Sequence, residues 1–302
     1  MAETGDKLSR MTYRLRFAPL LAALLLFATA LDAQQRGSLY IVGGGPQPAA
    51  LVREFVDLAG GAGKARIMIF AMASSSGETS GEEKAEQLRG LGATARNVWI
   101  TRAQADSDSV ARLLDGATGV WFGGGDQVRL AEVLRGTATE RAIKARYAAG
   151  AVIGGTSAGA AVMSALMITG DENHPGGTRP DSTLDWGTIA RDNVVTQPGF
   201  ALIDNVIIDQ HFLRRRRHNR LMSLTLERAP HLGAGIDEST ALVVLPDGTW
   251  RVRGASVVVI YDARSAVRSA PSGAVLGASG VVLHVLPDGG MFDPSAARAK
   301  MP

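Results

Sequence analysis

A short apolar run at residues 151–153 leads directly into a glycine-rich segment at residues 154–160, and a small-residue helical pattern follows. Gly155, Ser157 and Gly159 form a Gly-x-Ser-x-Gly pattern, which is typical of a nucleophile elbow between a strand and a helix. Side chains at the two glycines would collide with the neighbouring strand or helix. The pattern favours a strand–turn–helix unit that exposes the serine at a helix N-terminus, where negative charge is stabilised. The alternative is a packing turn whose serine only caps the helix.

Short apolar runs alternate with helix-like segments along the first half of the chain. Strands are predicted at residues 39–42, 66–70, 97–100 and 119–122, and helices at residues 51–58, 82–91, 107–115, 128–135 and 138–149. This alternation predicts an α/β fold, a three-layer sandwich with a mostly parallel sheet. The glycine-rich strand ends at residues 43–45, 123–125 and 154–155 should meet at the carboxyl edge of that sheet, where ligands bind.

The pattern becomes mainly β after residue 232. Pro-Asp-Gly at residues 246–248 and again at residues 287–289 predicts two turns, which we interpret as C-terminal hairpins extending one edge of the sheet. Residues 170–200 are rich in Gly, Asp, Asn and Pro, and they are predicted to form a loop at the substrate rim.

The length and composition are consistent with one large α/β domain, which is predicted to span residues 34–302. The chain has 302 residues, of which 46% are hydrophobic and 20% charged, so it can build a sizeable core. Its net charge of +3 comes from interspersed acids and bases, which gives no nucleic-acid footprint. It has no cysteine, which excludes disulfides, a lipoprotein anchor, cysteine catalysis and zinc–cysteine sites.

Residues 1–33 are typical of an export signal, with a start at either Met1 or Met11. Arg14 and Arg16 precede an apolar run at residues 17–28, and small residues follow that run. The run is shorter than the ~20 residues that a membrane span needs. We therefore expect export to the periplasm or the medium, with no stable membrane association after cleavage. The alternative is an uncleaved N-terminal anchor.

A catalytic serine needs a histidine base, itself oriented by a carboxylate. Of the five histidines, His211 follows an apolar strand and is therefore predicted at the active edge of the sheet. The alternative is a histidine that only caps a strand end. Asp237 and Glu238 are adjacent at a turn between short strands, so only one can face inward if that segment is extended. The residues alone leave that choice open.

The glycine turn at residues 123–125 closes the strand beside the elbow. Backbone N–H groups near Gly124 or Gly125 can approach an oxyanion without obstruction, and the N–H of Ala158 at the helix start is the natural second donor. The alternative is an ordinary tight turn.

Four motifs, taken together and in order, resemble the cyanophycinase branch of the serine peptidases that also include dipeptidase E. They lie at residues 123–127, 155–160, 209–212 and 235–238. The resemblance implies a fold like the class I glutamine-amidotransferase domain, which is flavodoxin-like, and acyl-enzyme chemistry without metal or cofactor. A homodimer is also what the family suggests.

The resemblance also implies the site residues and the substrate. Ser157 would be the nucleophile, His211 the base and Glu238 the acid. The implied substrate is cyanophycin, a polyaspartate carrying arginine on each β-carboxyl, which is cleaved to β-Asp-Arg dipeptides. A dipeptidase acting on Asp-X or isoaspartyl peptides is the related alternative, and a non-catalytic binding protein is a more distant one.

Five further positions match the family pattern and are predicted to bind substrate: Gln127, Asp209, Arg215, Arg217 and Arg220. Guanidinium groups can hold a substrate carboxylate through two hydrogen bonds. The intervening Arg214 and Arg216 have no match and are predicted on an exposed helix face. Without the resemblance, the arginine run at residues 214–217 would be interpreted as a surface patch.

Two other classes are disfavoured by spacing. A nucleotide-binding module on residues 43–45 fails the Gly-x-Gly-x-x-Gly pattern, because Pro48 stands where the third glycine belongs. A metal hydrolase is disfavoured because His211 and His218 are seven residues apart and no His-Glu-x-x-His occurs.

Overall fold

The structure is a computed structural model that describes Met1 and residues 36–173, 187–270 and 273–302. Residues 35–302 group into one compact unit. The predicted signal at residues 1–33, apart from Met1, and the middle of the predicted rim loop, at residues 174–186, lie outside the described residues. In the part that is described, no helix is both long enough and apolar enough to cross a membrane.

The elements of the described residues are numbered in chain order. The strands are β1 Leu39–Val42, β2 Arg66–Phe70, β3 Thr94–Asn97, β4 Gly119–Phe122, β5 Val152–Thr156, β6 Leu166–Glu172, β7 Val194–Pro198, β8 Ile207–Gln210, β9 Leu232–Ile236, β10 Thr240–Val244, β11 Trp250–Gly254, β12 Val258–Asp262, β13 Val267–Arg268, β14 Ala278–Ser279, β15 Val282–Leu286, β16 Met291–Asp293 and β17 Arg298–Lys300. The helices are α1 Ala49–Leu58, α2 Gly77–Gly90, α3 Arg102–Ala105, α4 Asp108–Ala111, α5 Gln127–Leu134, α6 Ala138–Ala148, α7 Ala158–Ala161 and α8 His218–Glu227, with a 3₁₀ turn at Arg112–Leu114.

The large sheet has the strand order β17-β16-β11-β10-β1-β5-β4-β2-β3. Its five strands from β1 to β3 are parallel, and β10, β11, β16 and β17 continue it with antiparallel pairs. β1 and β4 are apolar and buried along their whole length, as expected for parallel strands covered on both faces. The carboxyl ends of β1, β4 and β5 therefore meet at one edge, as predicted.

Each face of the large sheet has its own apolar core. On one face, Phe55 of α1 packs between Tyr40 and Trp121, at ring-centroid distances of 5.9 and 4.9 Å. On the other face, the core joins Leu130 of α5 and Ile143 of α6 with residues of a second sheet. The helical layers on both sides thus agree with the prediction over the parallel strands.

The second sheet was not predicted. It has the order β15-β12-β9-β8, with β8 and β9 parallel, and it packs over the antiparallel half of the large sheet. α8 covers its outer face through Leu221 and Leu224, which belong to one apolar cluster with Ile207 and Val259. The predicted three-layer sandwich therefore holds only over the parallel half. Periodicity identifies strands but not their partners, so two sheets and one extended sheet give the same sequence pattern.

Two further predictions need correction. The Pro-Asp-Gly turn at residues 246–248 does join the hairpin β10–β11, but the turn at residues 287–289 links β15 of the second sheet to β16 of the large one. β3 ends at Asn97 and does not start there, and Trp99 beyond it is 41% exposed. β3 lies at the end of the sheet and pairs only with β2, so it lacks the apolar run of a central strand.

Candidate active site

Ser157 stands at the sharp turn between β5 and α7, with φ of 54° and ψ of −111°. Its N–H donates to the carbonyl of Val42 at 3.0 Å, which ties the turn to the end of β1. A Cβ on Gly155 would lie 2.4 Å from the carbonyl oxygen of Gly159, and one on Gly159 would lie 2.3 Å from that of Phe122. The two glycines are required by close approach, as the sequence pattern predicts. The strained elbow pushes the serine hydroxyl out of the sheet edge.

Three predicted side chains form one hydrogen-bonded relay. Ser157 Oγ lies 2.8 Å from His211 Nε2, and His211 Nδ1 lies 2.6 Å from Glu238 Oε1. The relay is consistent with Nδ1–H donating to the carboxylate, which leaves Nε2 free to accept the serine proton. In this arrangement an imidazole can activate the alcohol, and the carboxylate stabilises the imidazolium that forms.

His211 reaches Ser157 from the second sheet, which differs from the prediction that it follows a strand of the large sheet. It follows β8, whose parallel neighbour β9 leads into Glu238. The His211 N–H donates to the carbonyl of Gly43 at 2.6 Å, and this bond joins the end of β8 to the end of β1. The carboxyl edges of the two sheets therefore face each other, and the relay crosses between them.

The geometry distinguishes the two adjacent carboxylates. Asp237 turns away from the relay: its Oδ1 accepts from the N–H groups of Leu213 and Arg214 at 3.1 and 3.0 Å, and its Oδ2 accepts from Ser256 Oγ at 2.8 Å. Glu238 is the carboxylate that contacts the imidazole. Asp237 thus fixes the turn after the histidine while Glu238 holds the ring.

The glycine turn after β1 is the wall against which the relay packs, a role that the sequence pattern did not predict. A Cβ on Gly44 would lie 2.3 to 2.9 Å from three atoms of the His211 ring, and one on Gly45 would lie 2.8 Å from Glu238 Cβ. The glycine run at residues 43–45, which resembles part of a nucleotide-binding turn, therefore packs against the imidazole of His211 and the side chain of Glu238. Its position at a strand end was the available signal.

Replacement of Gly44 by alanine is expected to lower kcat by about 10²-fold, because a displaced ring loses its alignment with the serine. The residue also has φ of +109°, which alanine adopts only with strain. Gly61→Ala is the matched control, since Gly61 has φ of +82° and nothing within 4 Å of a Cβ. Steady-state kinetics and thermal unfolding of both variants separate the effects. Equal kcat in the two variants would contradict this role of Gly44.

The environment of His211 keeps the imidazole neutral. Burial lowers its pKa below the ordinary 6.5, and the positive charges of Arg215 and Arg217 lower it further, while Glu238 opposes them. A base must be unprotonated to accept the serine proton, so activity is lost as pH falls through this lowered pKa. The base is therefore ready throughout the neutral range.

Arg215→Gln is expected to raise the pKa of His211 by removing a positive charge, so the acidic limb of kcat/KM should move to higher pH. The limb of kcat/KM reports the free enzyme, and pH profiles of both proteins measure the shift. Arg214→Gln, an equal charge change at an exposed neighbour, should leave the limb in place. An unmoved limb in Arg215→Gln would refute the electrostatic effect.

The predicted oxyanion donors lie around Ser157. A Cβ on Gly124 would be 3.5 Å from Ser157 Cβ, which places this glycine beside the nucleophile. No backbone hydrogen bond within the described residues uses the N–H of Gly124, Gly125 or Ala158. These groups are available to an oxyanion. In the same described part of the chain, no group of three His, Asp or Glu residues could hold a metal ion.

A cavity of about 430 Å³ opens beside Ser157. Besides the serine, its lining consists of Gly125, Asp126, Gln127, Val128, Thr169, Gly170, Asp171, Gln210, Arg215 and Arg217. Arg215 and Arg217 thus lie where they were predicted, at the site. Arg214 and Arg216 are exposed, as predicted, but they lie in the turn before α8 and not on a helix.

The structure does not bring Asp209 and Arg220 to the cavity surface. Both residues are 1% exposed, and Arg220 Nε donates to Asp209 Oδ2 at 2.7 Å in a buried ion pair. Asp209 Oδ1 also lies 3.8 Å from Arg217 Nη1, which donates to the carbonyl of Gln210 at 2.7 Å. The pair therefore supports two residues that line the cavity. Asp209 and Arg220 are eleven residues apart, and that spacing alone does not predict an ion pair between them.

Gln127 and Gln210 complete the lining. Gln127 is 6% exposed, and its Nε2 donates to the carbonyls of Ile168, at 2.9 Å, and Thr169, so it also holds the middle of β6. Gln210 was not predicted as a site residue, yet its Oε1 lies 3.4 Å from Ser157 Oγ. Its position immediately before His211 in the sequence was the available sign that it lies near the catalytic serine.

An α/β fold with a Ser–His–Glu relay at a cavity defines a serine hydrolase. Comparison with known proteins assigns it further: residues 39–251 match the profile of peptidase family S51. The chain belongs to this family and is a serine peptidase, which confirms the resemblance found in the sequence.

Relatives and solved structures agree with this assignment. The chain is 37% identical over 215 residues to the cyanophycinase of Trichormus variabilis, covering 70% of this chain and 68% of the relative. It is 32% identical over 236 residues to the cyanophycinase of Geminocystis herdmanii, covering 76% and 82%. The crystal structure of a peptidase from an acI-B1 actinobacterium is similar in fold, with a TM-score of 0.59 and 24% identity over 76% of this chain and 93% of that one.

Proposed function

We propose that this protein is an exported serine exopeptidase that hydrolyses cyanophycin to β-Asp-Arg dipeptides through an acyl-enzyme at Ser157. The observation that carries the proposal is the relay itself, with Ser157 Oγ 2.8 Å from His211 Nε2 and beside a cavity lined by Arg215 and Arg217. The cyanophycinase relatives supply the substrate class.

In the acylation step, His211 Nε2 takes the proton of Ser157 as the serine oxygen attacks the scissile carbonyl. Glu238 stabilises the imidazolium through Nδ1–H. The N–H groups near Gly124 or Gly125 and that of Ala158 donate to the oxyanion of the tetrahedral intermediate. His211 then gives its proton to the leaving amine, the C–N bond breaks, and an ester to the serine remains.

Deacylation uses the same groups. His211 accepts a proton from water, the hydroxide oxygen attacks the ester, and the serine oxygen leaves with that proton. One water is consumed for each peptide bond, which yields a carboxylate and an amine. The lowered pKa of His211 keeps the imidazole able to act as a base in both steps.

The charges of the cavity suit a terminal unit of this polymer. Each internal unit of cyanophycin keeps one free carboxylate, that of its arginine, and Arg215 and Arg217 offer guanidinium groups that bind a carboxylate by paired hydrogen bonds. A volume of about 430 Å³ is of the size that small-ligand sites have in proteins. Recognition of a terminal unit is consistent with exopeptidase action.

The direct test is incubation of the purified mature protein with insoluble cyanophycin, followed by mass spectrometry of the soluble products. Release of β-Asp-Arg supports the proposal, and Ser157→Ala serves as the control for contaminating activity. Small Asp-X and isoaspartyl dipeptides, assayed in parallel, distinguish the related dipeptidase alternative. Hydrolysis of those dipeptides with no release from cyanophycin would refute the proposed substrate.

Export forms a separate part of the proposal, and it is based on the signal-like pattern at residues 1–33. Expression of the full chain in a Gram-negative host, fractionation and N-terminal sequencing provide the test. We expect a processed N-terminus near residue 33 in the periplasm or the medium. Retention of the intact N-terminus in the membrane fraction would favour an anchor instead.

A further inference from the structure

The cavity beside Ser157 has two walls of opposite charge. Arg215 and Arg217 come from the turn after His211 and form the basic wall. Asp126 and Asp171 form the acidic wall, at the start of α5 and the end of β6. A ligand that carries only carboxylates would leave the acidic wall unmatched. The cavity therefore suits a ligand with both a carboxylate and a cation.

Each wall is held by hydrogen bonds of its own. The N–H of Arg215 donates to the carbonyl of His211 at 2.9 Å, so the basic wall is fixed to the catalytic base. Gln127 Nε2 donates to the carbonyl of Thr169, and the N–H of Asp171 donates to Thr169 Oγ1 at 3.3 Å. The acidic wall is thereby fixed to α5, which follows directly on the glycine turn of the oxyanion donors.

Asp126 and Asp171 differ in what their carboxylates already bind. Asp126 Oδ1 caps α5 by accepting from the N–H groups of Val128 and Arg129, at 2.8 and 3.3 Å. Among the described residues, Asp171 accepts a hydrogen bond only from the hydroxyl of Thr169, at 3.3 Å, and it is exposed. None of the ion pairs between described residues includes Asp171. Its negative charge faces the cavity and is available to a cation.

We propose that Asp171 is the residue that selects a cationic side chain in the substrate, by receiving its guanidinium while Arg215 and Arg217 receive a carboxylate. The inference rests on the proposed function and specifies its substrate recognition. A guanidinium binds a carboxylate through two parallel hydrogen bonds, which a neutral isostere cannot reproduce with the same strength. Asp171 thus distinguishes arginine from side chains of similar shape without charge.

The test measures binding, which does not depend on turnover. The Ser157→Ala protein is titrated by calorimetry with β-Asp-Arg and with β-Asp-citrulline, in which a neutral urea replaces the guanidinium. We expect the arginine dipeptide to bind about tenfold more tightly than the citrulline dipeptide. The expected ratio is modest because Asp171 is exposed and solvent screens its charge. Addition of Asp171→Asn should abolish this preference, and Asp171→Glu should retain most of it.

Asp115→Asn is the matched control, because it removes an equal charge at an exposed position before β4, away from the carboxyl edge. It should retain the full preference. An unchanged preference in Asp171→Asn, or the absence of any preference in Ser157→Ala, would overturn the inference. Hydrolysis of cyanophycin by the wild type is scored separately. Release of β-Asp-Arg without a preference for the charged dipeptide would support the proposed function and refute the role of Asp171. A preference for the charged dipeptide without release would support the role of Asp171 and refute the proposed function.

Discussion

Substitution of Ser157 by alanine is expected to lower kcat by about 10⁶-fold, because removal of one member of a catalytic triad removes the covalent route. The side chain makes few other contacts: its Oγ lies 2.8 Å from His211 Nε2 and 3.4 Å from Gln210 Oε1. The fold should therefore be retained. Turnover of cyanophycin and labelling with a serine-reactive probe measure the loss, and circular dichroism checks the fold.

Ser109→Ala provides the matched control for Ser157→Ala. Ser109 is exposed on α4, and its Oγ makes a hydrogen bond with Ser107 Oγ at the protein surface. This variant should retain full activity and full labelling at Ser157. A Ser157→Ala protein that kept a hundredth of wild-type activity would exclude the acyl-enzyme mechanism.

The second large effect is expected from Glu238→Gln. Glutamine has the same shape, but a neutral amide no longer stabilises the imidazolium and can donate to Nδ1, which favours the wrong tautomer. By analogy with the loss of the triad acid in other serine proteases, kcat should fall by about 10⁴-fold. The 2.6 Å contact between Glu238 Oε1 and His211 Nδ1 is the basis of this expectation.

Asp237→Asn is the matched control for Glu238→Gln, because it removes the adjacent carboxylate, which does not contact His211. Asparagine keeps a carbonyl oxygen that can accept from the N–H groups of Leu213 and Arg214, so the turn after His211 should survive. We expect kcat to fall by less than about tenfold. If Asp237→Asn were the more damaging of the two substitutions, the assignment of Glu238 as the acid of the relay would be wrong.

The parts of the site that follow from short stretches of chain could be predicted from the sequence. The elbow around Ser157 is one, because a strand end, two close-packed glycines and a helix start are all encoded within thirteen residues. The position of His211 at a strand end is another. Both required only the local pattern and the rule that catalytic groups gather at carboxyl ends of strands.

The features that depend on pairing between distant segments could not be predicted. β8 joins a second sheet because it pairs with β9, and no local periodicity encodes that choice. The ion pair between Asp209 and Arg220 likewise depends on α8 packing back over β8. The choice between Asp237 and Glu238, which the residues alone left open, depends on which of them contacts the turn after His211, and those contacts span 23 and 24 residues.

The bond between the N–H of His211 and the carbonyl of Gly43 has a consequence for when the enzyme becomes active. The attacking alcohol belongs to one sheet, and the groups that activate it belong to the other. While only one of the two sheets has formed, Ser157 lacks its base and cannot act as a nucleophile. The peptidase therefore becomes active only when both sheets have folded and packed together, wherever in or outside the cell that takes place.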